Sequence, residues 1–158
     1  MARIKVQKSQ LYYHKAKASE IKSVQCAKEL ELGTDTEEDI DVTCLDDDED
    51  NFDPGKKTPG EGSLRIDLDD ENTSHLKLIE LADSGEKVKW HVGSSHSKTP
   101  PTYEAVAGID LPEDRIWWSF EGYINPAAPT IEQDALVGYT FTLVRTSAVV
   151  TTPRVVTP

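Results

Sequence analysis

The sequence predicts a mainly β protein carrying one helix. Three observations lead there: period-two alternation of apolar and polar residues recurs along the chain, a single stretch has helical spacing, and Gly, Pro, Asp and Ser punctuate the gaps. The chain has 158 residues, enough for one domain with a sizeable core, and no internal repeat.

Taken in order, residues 1–20 contain Ile4, Val6, Leu11, Tyr12 and Tyr13 without a sustained period and read as a basic N-terminal arm ordered by a partner. From Ile21, alternation begins, with Val24, Cys26, Leu30 and Leu32 assigned to one face. Gly33-Thr34-Asp35-Thr36 supplies turn chemistry, and Ile40, Val42 and Cys44 form a second strand, so a hairpin centred near Asp35 is expected. Residues 46–60 read as a long acidic loop, since six of the eight residues from Asp46 to Asp53 are acidic and Pro54-Gly55 and Pro59-Gly60 punctuate its far side.

Leu64, Ile66 and Leu68 alternate as a half-buried strand. A helix follows, with Asp69, Asp70 and Glu71 near its start, where the helix dipole favours negative charge. Leu76, Ile79 and Ala82, flanked by Leu78 and Leu81, form its apolar stripe, and Gly85 is placed to end it. Val88, Trp90 and Val92 give the next strand, and Ser94 to Pro112 a second long loop. In the aromatic strand Arg115 to Ile124, one face carries Ile116, Trp118, Phe120 and Ile124, and the other Trp117 and Tyr123. Both faces are therefore expected to be covered, one by the core and one by another subunit. Val137, Tyr139, Phe141 and Leu143 mark the last strand. Residues 21–145 form the β domain, and 146–158 a C-terminal tail.

Charge is unevenly distributed. The net of -12 divides into +6 for residues 1–28, -15 for residues 29–72 and -3 for the remainder. Opposite charge on successive segments makes one copy complementary to another. No run of roughly 18 apolar residues is present, so no transmembrane helix is expected. The basic start lacks an apolar core after it, so a secretory signal is not expected either, and the protein is expected to be made in a cytoplasm. Cys26 and Cys44 read as two small buried thiols there, with a disulfide the alternative.

Chemistry finds little support. Asp46, Asp48 and Asp50 have the spacing that opens an EF-hand loop, but Asn51 stands where glycine is required and Lys57 at the twelfth position, where glutamate is required. His14, His75, His91 and His96 are scattered, with no metallohydrolase spacing, and no nucleophile motif or phosphate loop occurs. No catalytic residue, metal or cofactor is expected. An acidic body also disfavours nucleic-acid binding, which needs basic groups against phosphate.

The order of features from Cys44 to Val92 resembles the major tail tube proteins of long-tailed, siphovirus-type bacteriophages. It comprises a long charged loop, the Pro59-Gly60-Glu61-Gly62-Ser63-Leu64 strand, one helix ending Asp83-Ser84-Gly85-Glu86, and a strand bearing Trp90, with the hairpin before it and paired C-terminal strands after it. The similarity spans roughly Ile21 to Arg145. It implies a β-sandwich or half-barrel flanked by a helix, assembled as stacked hexameric rings that form the tail tube, made in the host cytoplasm and residing in the virion tail. Implied partners are further copies of the chain, tail terminator and tail tip proteins, and a tape measure protein in the lumen, with DNA passing through unbound. The candidate assembly contacts are Lys8, Lys15, Lys17, Tyr12, Tyr13, Asp47, Asp48, Asp50, Phe52, Pro54 and Trp117, and the candidate lumen residues are Asp41 and Asp67. The inner tube of a contractile tail or secretion system, and a calcium- or carbohydrate-binding β-sandwich module, remain alternatives; a periplasmic or secreted enzyme is the weaker rival.

Overall fold

A computed structural model describes residues 9–15, 21–104 and 108–155. Lys8 and Lys17 lie outside them. The described residues build twelve strands and one helix: β1 (Gln10–His14), β2 (Ile21–Val24), β3 (Ala27–Glu31), β4 (Thr36–Asp41), β5 (Phe52–Thr58), β6 (Glu61–Asp67), α1 (Thr73–Ser84), β7 (Val88–Gly93), β8 (Thr102–Glu104), β9 (Gly108–Asp110), β10 (Trp117–Ile124), β11 (Gly138–Arg145) and β12 (Val150–Thr152). Eight strands form one antiparallel sheet in the order β2-β1-β7-β10-β11-β6-β3, with β12 beside the first half of β10. The pairs β4–β5 and β8–β9 stand apart as two-stranded ribbons.

The outermost strands β2 and β3 are consecutive in sequence, joined only by Gln25 and Cys26. A sheet whose two ends are that close must curl, which gives the half-barrel. Alternation then fixes the core: Leu11 and Tyr13 of β1, Val88 and Trp90 of β7, Phe120 and Ile124 of β10, Phe141 and Leu143 of β11, and Leu64 and Ile66 of β6 point to one side. Leu78, Leu81 and Ala82 of α1 pack against them. Trp90 lies fully buried and donates its indole N–H to the Gly122 carbonyl at 3.1 Å, so its one polar atom is satisfied.

The helix starts one residue after Asn72, whose side chain accepts from the Ser74 N–H at 3.0 Å, and ends at Gly85 in the left-handed conformation. Its first turn carries no acid; Asp69, Asp70 and Glu71 precede the cap. Its buried stripe is His75, Leu78, Leu81 and Ala82, rotated from the expected one, and Leu76 is exposed. The rotation follows from His75, which the helix turns inward to brace the β2–β3 corner. Its Nε2 donates to the Gln25 carbonyl at 2.7 Å, and its Nδ1 accepts from the Asp69 N–H at 3.2 Å.

Several expectations are corrected. Residues 10–14 are not an arm but a central strand between β2 and β7. No hairpin is centred on Asp35: β2 and β3 pair with β1 and β6, while β4 pairs with β5. Part of the expected acidic loop is therefore strand, and the turn lies at residues 42–51. Ser94 to Pro112 contains the β8–β9 ribbon, and the C-terminal segment adds β12 to the sheet. Cys26 and Cys44 are both exposed and free: Cys26 sits in the β2–β3 corner, off the packed face of Val24 and Leu30, and Cys44 lies in the exposed turn beyond β4.

The helix offers an internal comparison. Leu78→Ala should destabilise the protein by about 2–5 kcal/mol in urea unfolding, since it empties a buried site. Leu76→Ala, on the same helix but exposed, should stay within about 0.5 kcal/mol of the parent.

Candidate assembly surface

Ten acids and no base occupy residues 36–53, and folding places nearly all of that charge on the β4–β5 ribbon and its tip. Repulsion of that density keeps the ribbon out of any core, and each residue of β4 is exposed. The tip is nevertheless ordered by its own groups. Asn51 and Val42 continue the ladder at 3.0 Å, the Asn51 N–H donates to Thr43 Oγ1 at 2.8 Å, and the Asp47 carboxylate accepts from the Cys44 N–H at 2.7 Å and from the Asn51 amide at 3.3 Å. Asp47 is thus a turn organiser, while Asp48 and Asp50 face solvent. Asp41 accepts from the Thr43 N–H at 2.9 Å, and its hydrogen bonds to Thr43 hold its carboxyl below the usual range.

Apolar residues are exposed on both sides of this ribbon. Directly paired residues share a face, so Phe52 and Pro54 lie with Asp41 and Asp39, and Ile40 lies with Asp53 on the other. Val42 follows Ile40 by alternation. Phe52 is 56% exposed and Ile40 53%. Leu45 projects from the tip, fully exposed. Among the described residues, nothing covers the apolar groups on either face of this two-stranded ribbon.

The root of the ribbon is built differently. Arg145, at the end of β11, is buried, donating to the Leu32 carbonyl at 2.6 Å, to Gly33 and Ser147 carbonyls, and to the Asp35 carboxylate. Asp35 also accepts from the Gly60 N–H at 3.1 Å, and that bond, then the guanidinium, holds its carboxyl below the ordinary range. Arg145 and Asp35 were not singled out from the sequence. The signal was present: extending the Tyr139, Phe141, Leu143 alternation by one step puts a charge on the core face, and a charge there demands a partner.

Three aromatic candidates turn inward. Tyr13 is in the main core, and Tyr12 and Trp117 pack together on the opposite face of the sheet, ring centroids 5.9 Å apart. Trp117 is fully buried by its own chain: its indole donates to Pro112 O at 2.9 Å, and the Arg115 guanidinium lies 4.8 Å above its ring. The expectation of a subunit contact at Tyr12, Tyr13 and Trp117 is therefore corrected; the segment after β7, read as loop, supplies the cover. Lys15 is exposed and pairs with Glu86 at 3.1 Å, and half-buried Asp67 lies 3.9 Å from Lys28.

That second face also holds His14 and His91. Their Nε2 atoms are 3.1 Å apart, and the surroundings fix the protons. The Lys15 carbonyl only accepts, so His14 Nδ1 donates to it at 3.3 Å and its Nε2 is left as an acceptor. His91 Nε2 then donates, and its Nδ1 accepts from Ser119 Oγ at 2.8 Å. Both rings are neutral. Among the described residues, no three His, Cys, Asp or Glu side chains cluster to hold a metal ion.

The lambda-like phage tail tube family model ("Phage tail tube, TTP, lambda-like") matches residues 2–155. The chain belongs to this family. Structural protein 3 of Pseudomonas phage PAJU2 is 31% identical over 139 residues, covering 85% of this chain and 84% of that one. In solved structures, the SPP1 tail tube protein superposes with a TM-score of 0.68 at 8% identity, covering 97% of this chain and 81% of its own. A subunit of the gene transfer agent tail, refined with C6 symmetry, gives 0.62 at 11%, covering 94% and 98%. This tail tube chain is a structural component of the virion tail whose copies build a tube, and it is not an enzyme.

The histidine pair makes tube subunit stability depend on pH. Burial first, then the charges of His14 and Lys89, push His91 down to about 4, and burial lowers His14 as well. The unfolded chain takes up these protons near 6.5. Stability present above that pH should therefore be lost as pH falls from about 6.5 to about 4, by about 2–3 kcal/mol. Asp35, Asp41 and Asp114, lowered from 3.8, titrate below this window. Thermal unfolding across the window should show the loss, and His91→Asn should flatten it.

Proposed function

We propose that the tail tube subunit forms hexameric rings stacked head to tail, and that the β4–β5 ribbon is the element by which one copy holds another. The observation that carries this reading is the ribbon itself: four apolar residues, Ile40, Val42, Leu45 and Phe52, are exposed on it, with no cover from the described residues of their own chain. The C6 symmetry of the gene transfer agent tail supports six copies per ring. Ring closure would also cover the outer edges of β2 and β3, which pair on one side only among the described residues and would otherwise invite uncontrolled pairing. A contact joining different patches, repeated without closing, produces an open stack.

The ribbon's charge has a counterpart in the basic residues 1–28, with Lys15 already exposed at the end of β1. Its pair with Glu86 is a surface pair worth only about 0–1 kcal/mol, so exchange for a carboxylate of a neighbour costs little. Phe52 and Pro54 would be the apolar anchors, flanked by Asp48 and Asp50. The tube would end on terminator and tip proteins and enclose a tape measure protein. Genome DNA would pass a lumen that is net negative, for which Asp67 and Asp41 are the candidate lining groups; the excess of acids over bases in the chain supports this. The similarity to a contractile injection tube, 13% identical in sequence, concerns the fold alone, and the lambda-like family match leaves the non-contractile reading preferred.

The ribbon is tested by replacing Val42 to Asn51 with Asn-Gly, which closes a two-residue hairpin between Asp41 and Phe52. Combined with Ile40→Ser and Phe52→Ser, the shortened protein should melt like the parent yet form no tubes by negative-stain microscopy. Tubes at the parental rate would reduce the ribbon to a solvated ornament. A map of the assembled tube tests the lumen: walls lined mainly by Lys and Arg would contradict the charge assignment.

A further inference from the structure

We infer that Arg145 and Asp35 are positioning residues for assembly, locking the joint that sets the direction of the β4–β5 ribbon relative to the sheet. The inference rests on the ribbon being the assembly contact. Strands β3 and β6 pair up to Glu31 and Ser63, and β4 and β5 resume pairing at Thr36 and Thr58. The ribbon is therefore an outward continuation of the β3–β6 pair, interrupted by residues 32–35 on one leg and 59–60 on the other. An interrupted ladder is a hinge unless something else fixes it.

Arg145 fixes both legs. Its neighbour Val144 pairs with Glu61 at the start of β6, which brings the guanidinium over the interruption. From there it reaches the carbonyls of Leu32 and Gly33 and the carboxylate of Asp35, all on the β3–β4 leg. Asp35 passes the restraint across to the β5–β6 leg through the Gly60 N–H. Gly33 lies in the left-handed region at φ 75°, and a Cβ there would come 2.5 Å from the Glu61 carbonyl oxygen, so the two legs touch backbone to backbone. The fork of a guanidinium restrains direction as well as distance, which a single ammonium does not. The joint is rigid where it leaves the sheet, while the shaft beyond is fully exposed. Rigidity at the root keeps the apolar groups of the shaft at one place relative to the ring, lowering the ordering cost when a neighbour docks.

The test uses the full-length protein in three forms. Arg145→Met removes the fork from a buried position and carries a risk to folding, so Asp35→Ala, at an exposed residue, is the primary variant. Asp35→Ala should stay folded, with amide exchange at Gly60 accelerated about tenfold and tube elongation by light scattering slowed by at least about the same factor. Arg145→Lys should fall between Arg145→Met and the parent, because it restores the charge without the fork. Parental elongation by Asp35→Ala, in the same experiment where the shortened ribbon stops growth, would overturn the positioning role and leave the ribbon contact standing. Growth of the shortened-ribbon protein at the parental rate would overturn both.

Discussion

The corner at Gln25 and Cys26 governs this fold. Two residues connect the first and last strands of a seven-strand path, so the sheet has to bend until its ends meet. Cys26 takes a left-handed conformation at φ 54°, which is unfavourable for a residue with a Cβ by about 1–2 kcal/mol. The helix holds the corner in place: Ser74 Oγ accepts from the Gln25 N–H at 3.3 Å, and His75 donates to the Gln25 carbonyl. Corner and helix are thus one unit. The helix plugs the open side of the curl with Leu78, Leu81 and Ala82 because its first turn is tied to the point where the sheet folds back.

The same curl divides the protein's polar groups into two kinds. Groups on the second face of β1, β7 and β10 are buried and held by internal hydrogen bonds, as in the His14–His91 pair and in Arg115, which donates to Ser94, Gln10 and Thr99 while its Nη2 finds no partner among the described residues. The acids of residues 36–53 are left outside altogether. Burying even a few of them unpaired would cost several kcal/mol each, so the chain leads them away from the sheet on a ribbon. Fold and assembly surface are separable for that reason, which lets one be altered without the other.

Much of this was legible in the sequence, and the failures have physical causes. The alternations around Leu64, Trp90, Phe120 and Phe141 were reliable because a strand packed on one face writes period two directly. The corner was not legible, since Val24 and Leu30 keep the same alternation through a turn with no Gly or Pro, so β2 and β3 read as one strand. Pairing was misjudged for the related reason that alternation says which face a residue takes and nothing about its neighbour. Tyr12 and Tyr13 were assigned to a partner subunit because residues 1–20 lack a sustained period and read as an arm, and Trp117 because Pro112, which meets its indole, ends a stretch that reads as loop. The ribbon was half legible: its charge stood out, whereas Pro54 and Gly55 concealed strand β5, tolerated there because the ribbon is all edge.

On the proposed reading, repetition would let a ribbon so charged act as glue. Burying a side chain the size of Phe or Leu contributes roughly 1.5–3 kcal/mol, and the like charges around it oppose docking by a smaller amount that salt screens. The net per contact is small, so a pair of free subunits would associate weakly. In a ring, each copy both gives and receives the contact, and once the ring forms, the next layer meets several such sites held at fixed spacing. Effective concentration then replaces intrinsic affinity. On the proposed reading, the acids around the exposed Phe52 and Leu45 would keep any one contact weak, while many contacts made together would make the assembled wall hard to leave. Such outward-held contacts would, on that reading, act only in numbers, and the separation of ribbon from core would let that number rise without disturbing the fold.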